Sequence, residues 1–242
     1  MDLQEFKKQY VQIELGITSD FGRIFTFIDF GNVNHWFEED KQTYEYVALA
    51  DDEKLVVDLE KLHEFVQLFS DSERFYYGYD PQNAGSFGFI RATREIFGKN
   101  KVFTKHIQKI RHYLNEIDTL NNTRNIYTDR KGIFVYIPKC NFDVEISVDA
   151  IKLLDHYDTF CLFSGDADFV HLARFLKGKG KKVILIKGGN ITHQLKEVCN
   201  FVINAQDIKK YISVVKKQKP GIKPGLADRK PESSGRTILE GS

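Results

Sequence analysis

Cysteine is scarce in this chain. Cys140, Cys161 and Cys199 are the three cysteines among 242 residues, odd in number and without a C-x-x-C spacing. That leaves no basis for a disulfide framework or a zinc knuckle. His63, His156, His171 and His193 show no pairing that would hold zinc either. Long apolar runs are missing too: none approaches the roughly 20 residues that cross a bilayer. The first residues, MDLQEFKKQY, lack the apolar centre of a signal peptide. The expectation is a cytoplasmic protein with no membrane partner. No internal repeat is visible.

Hydrophobic residues make up 42% and charged residues 29%, an ordinary globular balance. The length suits one domain with a substantial core. A net charge of +1 conceals an asymmetry: residues 209–242 carry nine Lys/Arg against three Asp/Glu, and the rest carries 26 against 31. An acidic body with a basic tail fits a carboxylate-lined site beside a polyanion-binding arm. It fits a merely solubilising tail equally well.

The densest chemistry lies in Tyr157–Phe169, YDTFCLFSGDADF. Phe160 to Phe163 is a short continuous apolar run, as expected of a strand buried on both faces of a parallel sheet. It breaks at Ser164-Gly165 into Asp166 and Asp168, ahead of a helical period at Phe169, Leu172, Ala173 and Leu176. Ile24 to Ile28 is a second such strand and ends at Asp29, with Gly31 and Asn32 in the following turn. Open α/β sheets place their ligands at the carboxyl ends of central strands. Crowded carboxylates repel one another unless a cation or proton intervenes. A metal site is the first hypothesis. Ser164 and Asp166 are also ordinary N-capping residues, and alone they would describe only a turn.

The remaining segments alternate between the two periods. Helices are expected at Leu3–Ile13, Val57–Phe69, Phe87–Phe97, Asp143–Leu154, Thr192–Cys199 and Ala205–Val215. In the Asp143 helix, Val144, Val148, Ile151 and Leu154 form the apolar side. Strands are expected at Arg74–Tyr79, Lys101–Ile107, Gly132–Pro138, Val183–Ile186 and, as a short edge, Phe201–Ile203. Residues 38–57 look like a loop or weak helix. Residues 108–131 look like an insertion, a hairpin or a helix followed by a loop. The alternation argues for a three-layer α/β/α sandwich with a mostly parallel central sheet, the Ile24 strand and the Phe160 strand being central neighbours. The expected organisation is an N-terminal extension over 1–22, a domain over 23–215 and a disordered basic tail over 216–242.

Three blocks resemble the NYN domains of the PIN-like nuclease superfamily, in particular the LabA-like branch. They are FIDFGNVN (Phe27–Asn34), NFDVEISVDAI (Asn141–Ile151) and FSGDADFVHLARFLKGKGKKVILI (Phe163–Ile186), in the family's order. The chain departs from the pattern at bulky Phe30 and in the long 108–131 connection, both expected to reshape a substrate groove, and at Asn200, where many relatives carry Asp. The resemblance implies a metal-dependent endoribonuclease with RNA as substrate. It implies an acidic cluster of Asp29, Asp143, Asp166 and Asp168, catalytic and metal-binding, with Asn32 as its polar neighbour. Hard oxygen ligands suit Mg²⁺ or Mn²⁺. Asp149 lies about 240° around the helix from Asp143, so a supporting role behind the ligands is expected of it.

Ser164, His35 and Lys187 complete the candidate substrate contacts. Lys187-Gly188-Gly189-Asn190 joins a strand to a helix, and its amides suit a phosphate, although paired glycines more often just turn the chain. Lys105, His106, Lys109, Arg111 and His112 suit a nucleic-acid backbone, and Tyr76, Tyr77 and Tyr79 suit base stacking, against the plainer readings of a solvated face and a core strand. The alternative to an enzyme is a non-catalytic RNA- or protein-binding module that keeps a structural ion. A phosphoaspartyl phosphatase would need a second Asp where Gly31 stands. Homo-oligomerisation stays open.

Overall fold

The computed structural model describes residues 2–115 and 125–217. Most of the basic tail and the middle of the 108–131 insertion lie outside the described residues. Six strands build the central sheet: β1 (Ile24–Asp29), β3 (Ser72–Tyr79), β4 (Val102–His106), β8 (Thr159–Phe163), β9 (Lys182–Lys187) and β10 (Phe201–Asn204). Their order is β10-β9-β8-β1-β3-β4, and every pairing is parallel. All five residues of β8 are buried, which is why that strand reads as an unbroken apolar run.

Helices cover both faces. On one side α1 (Leu3–Leu15), α2 (Phe30–Val33), α3 (Leu59–Gln67), α4 (Ala84–Phe97) and α8 (Ala205–Ile212) pack over Ile28, Phe75, Ile184 and Ile186. On the other, α5 (Asp143–Lys152), α6 (Val170–Gly178) and α7 (His193–Val198) pack over Phe27, Phe160, Leu162 and Leu185. The result is the expected three-layer α/β/α sandwich, with β1 and β8 as central neighbours.

Four local expectations change. Residues 38–57, read as a loop or weak helix, end in β2 (Glu53–Val57), which pairs antiparallel with β11 (Ser213–Lys217). Correspondingly, the last helix stops at Ile212 rather than Val215; the β-branched pair Val214-Val215 favours an extended chain. In α5 the inward side carries Ile146 and Ala150, whereas Val144, Val148 and Ile151 are 71%, 41% and 45% exposed. Asp149 settles that rotation: it lies three residues after Ile146, on the neighbouring turn, and pairs with Arg74 and Tyr76 of β3. Finally, Gly132–Pro138 forms a strand outside the main sheet. β5 (Gln108–Tyr113), β6 (Tyr127–Asp129) and β7 (Gly132–Lys139) make a separate antiparallel sheet in the order β5-β7-β6.

Candidate metal centre

The register of β1 and β8 sets Ile28 opposite Phe163, so Asp29 and Ser164 emerge side by side. Ser164 is fully buried. Its hydroxyl donates to Asp29 Oδ2 at 3.3 Å and accepts the Asp166 amide at 3.2 Å. Asp166 in turn accepts the Asp168 amide on Oδ1 at 3.0 Å, opening one 3₁₀ turn over Ala167–Phe169. The capping and metal readings of this segment are therefore compatible: the turn that Asp166 caps aims both carboxylates one way. Asp143 arrives from α5, its amide held by Asn141 Oδ1 at 2.8 Å.

Asp143, Asp166 and Asp168 each offer a carboxylate oxygen within 4.8 Å of the other two. Asp29 falls outside that trio yet feels its charge. Burial pushes the Asp29 carboxyl up to about 6, with Asp143 and Asp166 adding to the rise and the Ser164 hydroxyl opposing it. Burial raises Asp143 as well, helped by Asp166 and Asp168 and opposed by Asn141. The donor set, all carboxylate oxygen and mutually repulsive, fits a hard divalent cation.

The other candidates occupy varied places. Asn32 Oδ1 accepts from the Gly165 amide at 3.2 Å and the Trp36 indole at 3.0 Å, tying the β1 turn to the β8 turn. His35 is exposed, with Nδ1 2.7 Å from Glu38, and borders a hollow of about 310 Å³ beside Gly31 and Phe142. Lys187 Nζ donates to the Gly189 carbonyl. The Lys187–Asn190 turn owes its first glycine to packing. A Cβ on Gly188 would lie 2.4 Å from Trp36 Cδ1, and the indole stacks on Phe163 with centroids 5.9 Å apart. Asp149 stands apart from the trio, bonded at 2.7 Å to both Arg74 Nη1 and the Tyr76 hydroxyl.

Phe30 does not reshape the groove. It is buried against Phe75 and Phe89, with centroids 4.8 and 5.3 Å away. Tyr76 is fully buried and unavailable for stacking. Much of the basic cluster is matched: Lys105 with Glu145, Lys109 with Asp80, Arg111 with Asp129. Asn141 escaped sequence reasoning, although Asn two residues before a helix-opening Asp was a usable signal. The Arg74–Asp149–Tyr76 link had no such signal, because it joins segments over 70 residues apart. A hollow of about 680 Å³ near Asp2, Glu5 and Glu64 contains none of these residues.

A six-stranded parallel sheet with helices on both faces is consistent with a PIN-like α/β/α sandwich. The chain belongs to the NYN domain family, whose family model matches residues 23–206. It is 29% identical over 86 residues to the "Low amplitude and bright protein LabA" of Synechococcus elongatus (strain ATCC 33912 / PCC 7942 / FACHB-805). That match covers 35% of this chain and 46% of the relative, so the chain spans less than half of that protein's length. The fold is similar to that of the Vibrio parahaemolyticus RIMD 2210633 protein of unknown function VPA0982. The TM-score is 0.51 and the identity 18%, over 81% of this chain and 99% of that one. Among the described residues no helix is long and apolar enough to cross a membrane.

Proposed function

We propose that this chain is a cytoplasmic, Mg²⁺- or Mn²⁺-dependent endoribonuclease that hydrolyses RNA phosphodiester bonds at the acidic cluster. The observation that carries this reading is the convergence of Asp143, Asp166 and Asp168 within 4.8 Å, beside a buried Asp29. Asp143, Asp166 and Asp168 would hold the ion, with Asp29 as the fourth carboxylate. When bound, a divalent cation neutralises these charges and the phosphate's, and activates water for in-line attack on phosphorus.

The chain's own groups position that chemistry. Ser164 fixes Asp29 and the Asp166 amide together, so its role is internal. Asn32 locks the Gly165 amide, which keeps the two strand ends from separating. His35 borders the hollow beside Gly31 and Phe142, where substrate would lie, and Lys187 would reach a phosphate only by leaving the Gly189 carbonyl. Asp149 holds α5 against β3 through Arg74 and Tyr76, a scaffold role apart from the ligands.

Purified protein incubated with end-labelled RNA should cut it in millimolar Mn²⁺ and not in EDTA, and Asp143→Asn should lower the rate by orders of magnitude. RNA that is bound but uncut under both conditions would instead mark a binding module. Equal cutting by wild type and variant would place the activity elsewhere.

A further inference from the structure

We infer that the small sheet β5-β7-β6 is a stacking platform for single-stranded RNA that leads into the acidic cluster; this rests on the ribonuclease reading above. Residues 105–139 carry seven Lys/Arg against three Asp/Glu, whereas the remainder of residues 1–208 carries 19 against 28. The body that bears the carboxylates is strongly acidic, and the positive charge beside it is concentrated on this one projection. A polyanion is drawn there rather than to the rest of the body.

Strand register gives the projection an aromatic face. Tyr113 and Tyr127 both lie opposite Phe134, and Arg111 lies opposite Tyr136 two residues further along, so all share one face. Phe134 is buried beneath the group. Its centroid is 5.7 Å from both Tyr113 and Tyr127, and the Arg111 guanidinium sits 5.1 Å above it. Asp129 accepts from the Tyr113 hydroxyl at 2.9 Å and from Arg111 at 3.2 Å, which sets the rings in advance. Tyr113 and Tyr127 nonetheless remain 41% and 44% exposed. Beside them Arg130 and Lys131 are exposed and have no ion pair among the described residues.

The face runs toward the site. Successive rows on it are about 7 Å apart. The Pro138 row lines the 310 Å³ hollow together with Gly31 and Phe142, the neighbours of Asp29 and Asp143. Exposed rings flanked by exposed cations suit unstacked bases on a phosphate chain. A duplex hides its base faces and offers only its backbone. A protein partner would favour a patch whose centre is depleted of charge.

The test is fluorescence anisotropy in EDTA, which stops metal-dependent cutting, with the full chain, a labelled oligouridylate and a blunt RNA duplex. Tyr113→Leu/Tyr127→Leu keeps apolar cover over Phe134 and removes both stacking faces. It should weaken oligouridylate binding tenfold or more and leave duplex binding unchanged. Arg130→Ala/Lys131→Ala alters only exposed side chains, so it decides the matter if the tyrosine variant fails to fold. It should flatten the slope of log affinity against log salt by about 1.4, or 0.7 per phosphate contact. The inference is overturned by a folded tyrosine variant with wild-type affinity, by a wild-type preference for duplex, or by variants that change self-association while RNA affinity holds. Asp29→Asn, run in parallel, separates the two readings. Ring-dependent binding with no metal-dependent cleavage upholds the platform against the nuclease; metal-dependent cleavage indifferent to the rings does the reverse.

Discussion

Replacing Asp29 by Asn should stabilise the metal-free protein at neutral pH. The folded carboxyl titrates near 6 against an ordinary 3.8, so keeping it ionised in the fold costs about 3 kcal/mol. A raised carboxyl contributes stability below its unfolded value and loses it as pH climbs through the folded one. Near pH 7.5 the full penalty is in force, and Asn, neutral and nearly isosteric, removes it. Against that gain stands the Ser164 hydrogen bond at 3.3 Å, whose weakening costs about 1 kcal/mol. The net of about 2 kcal/mol corresponds to a rise in Tm of about 4–8 °C for a domain of this size.

Thermal unfolding followed by circular dichroism in EDTA reads this directly. At pH 5 wild-type Asp29 is largely protonated, the ionisation penalty falls to about 1.6 kcal/mol, and the net advantage of the variant should shrink by about two-thirds. Excess Mn²⁺ should reverse the order, since a ligand at 100 times its Kd adds about 2.7 kcal/mol to the protein that binds it. A variant less stable than wild type at pH 7.5 in EDTA, or a gap that ignores pH, would refute the assignment of buried, crowded charge to Asp29.

Other perturbations separate the scaffold from the site. Asp149→Asn should destabilise by about 1–3 kcal/mol, through the weakened Arg74 and Tyr76 contacts, while Mn²⁺ affinity measured by calorimetry changes little. Gly188→Ala pushes a Cβ into the Trp36 ring and should cost about 1–3 kcal/mol in chemical denaturation; a neutral result would mean Trp36 is free to move. Truncation after Lys217 should leave Tm unchanged, whereas truncation after Ile212 strips the partner of β2 and should lower it by several degrees.

The sequence displays the site more fully than it displays the scaffold around it. Two buried parallel strands leave no choice of face, so Ile24–Ile28 and Phe160–Phe163 advertise themselves, and each ends where its carboxylates must go. Asp143 is less plain, because a helix-opening Asp is equally a dipole partner. Helix α5 shows the limit of periodicity. It has one apolar stripe through Val144, Val148 and Ile151 and another through Ile146 and Ala150. The choice between them lies in the partners of Asp149 on β3, which are distant in sequence. The β2–β11 pair was invisible for the same reason: short, partly charged strands some 160 residues apart gain their meaning only from each other. Phe30 is the opposite case. Its bulk looked like a change to the groove, and the backbone turn after Asp29 sends it into the core.

The proposed RNA cleavage depends on a divalent cation held by Asp143, Asp166 and Asp168 beside Asp29. A crystal soaked in Mn²⁺ and measured near the manganese absorption edge locates such an ion without reference to activity. The expected result is an anomalous peak within bonding distance of those carboxylates, absent from crystals of Asp166→Asn. A well-ordered cluster with no peak at millimolar Mn²⁺, or a peak elsewhere on the surface, would contradict the metal centre and the ribonuclease chemistry built on it.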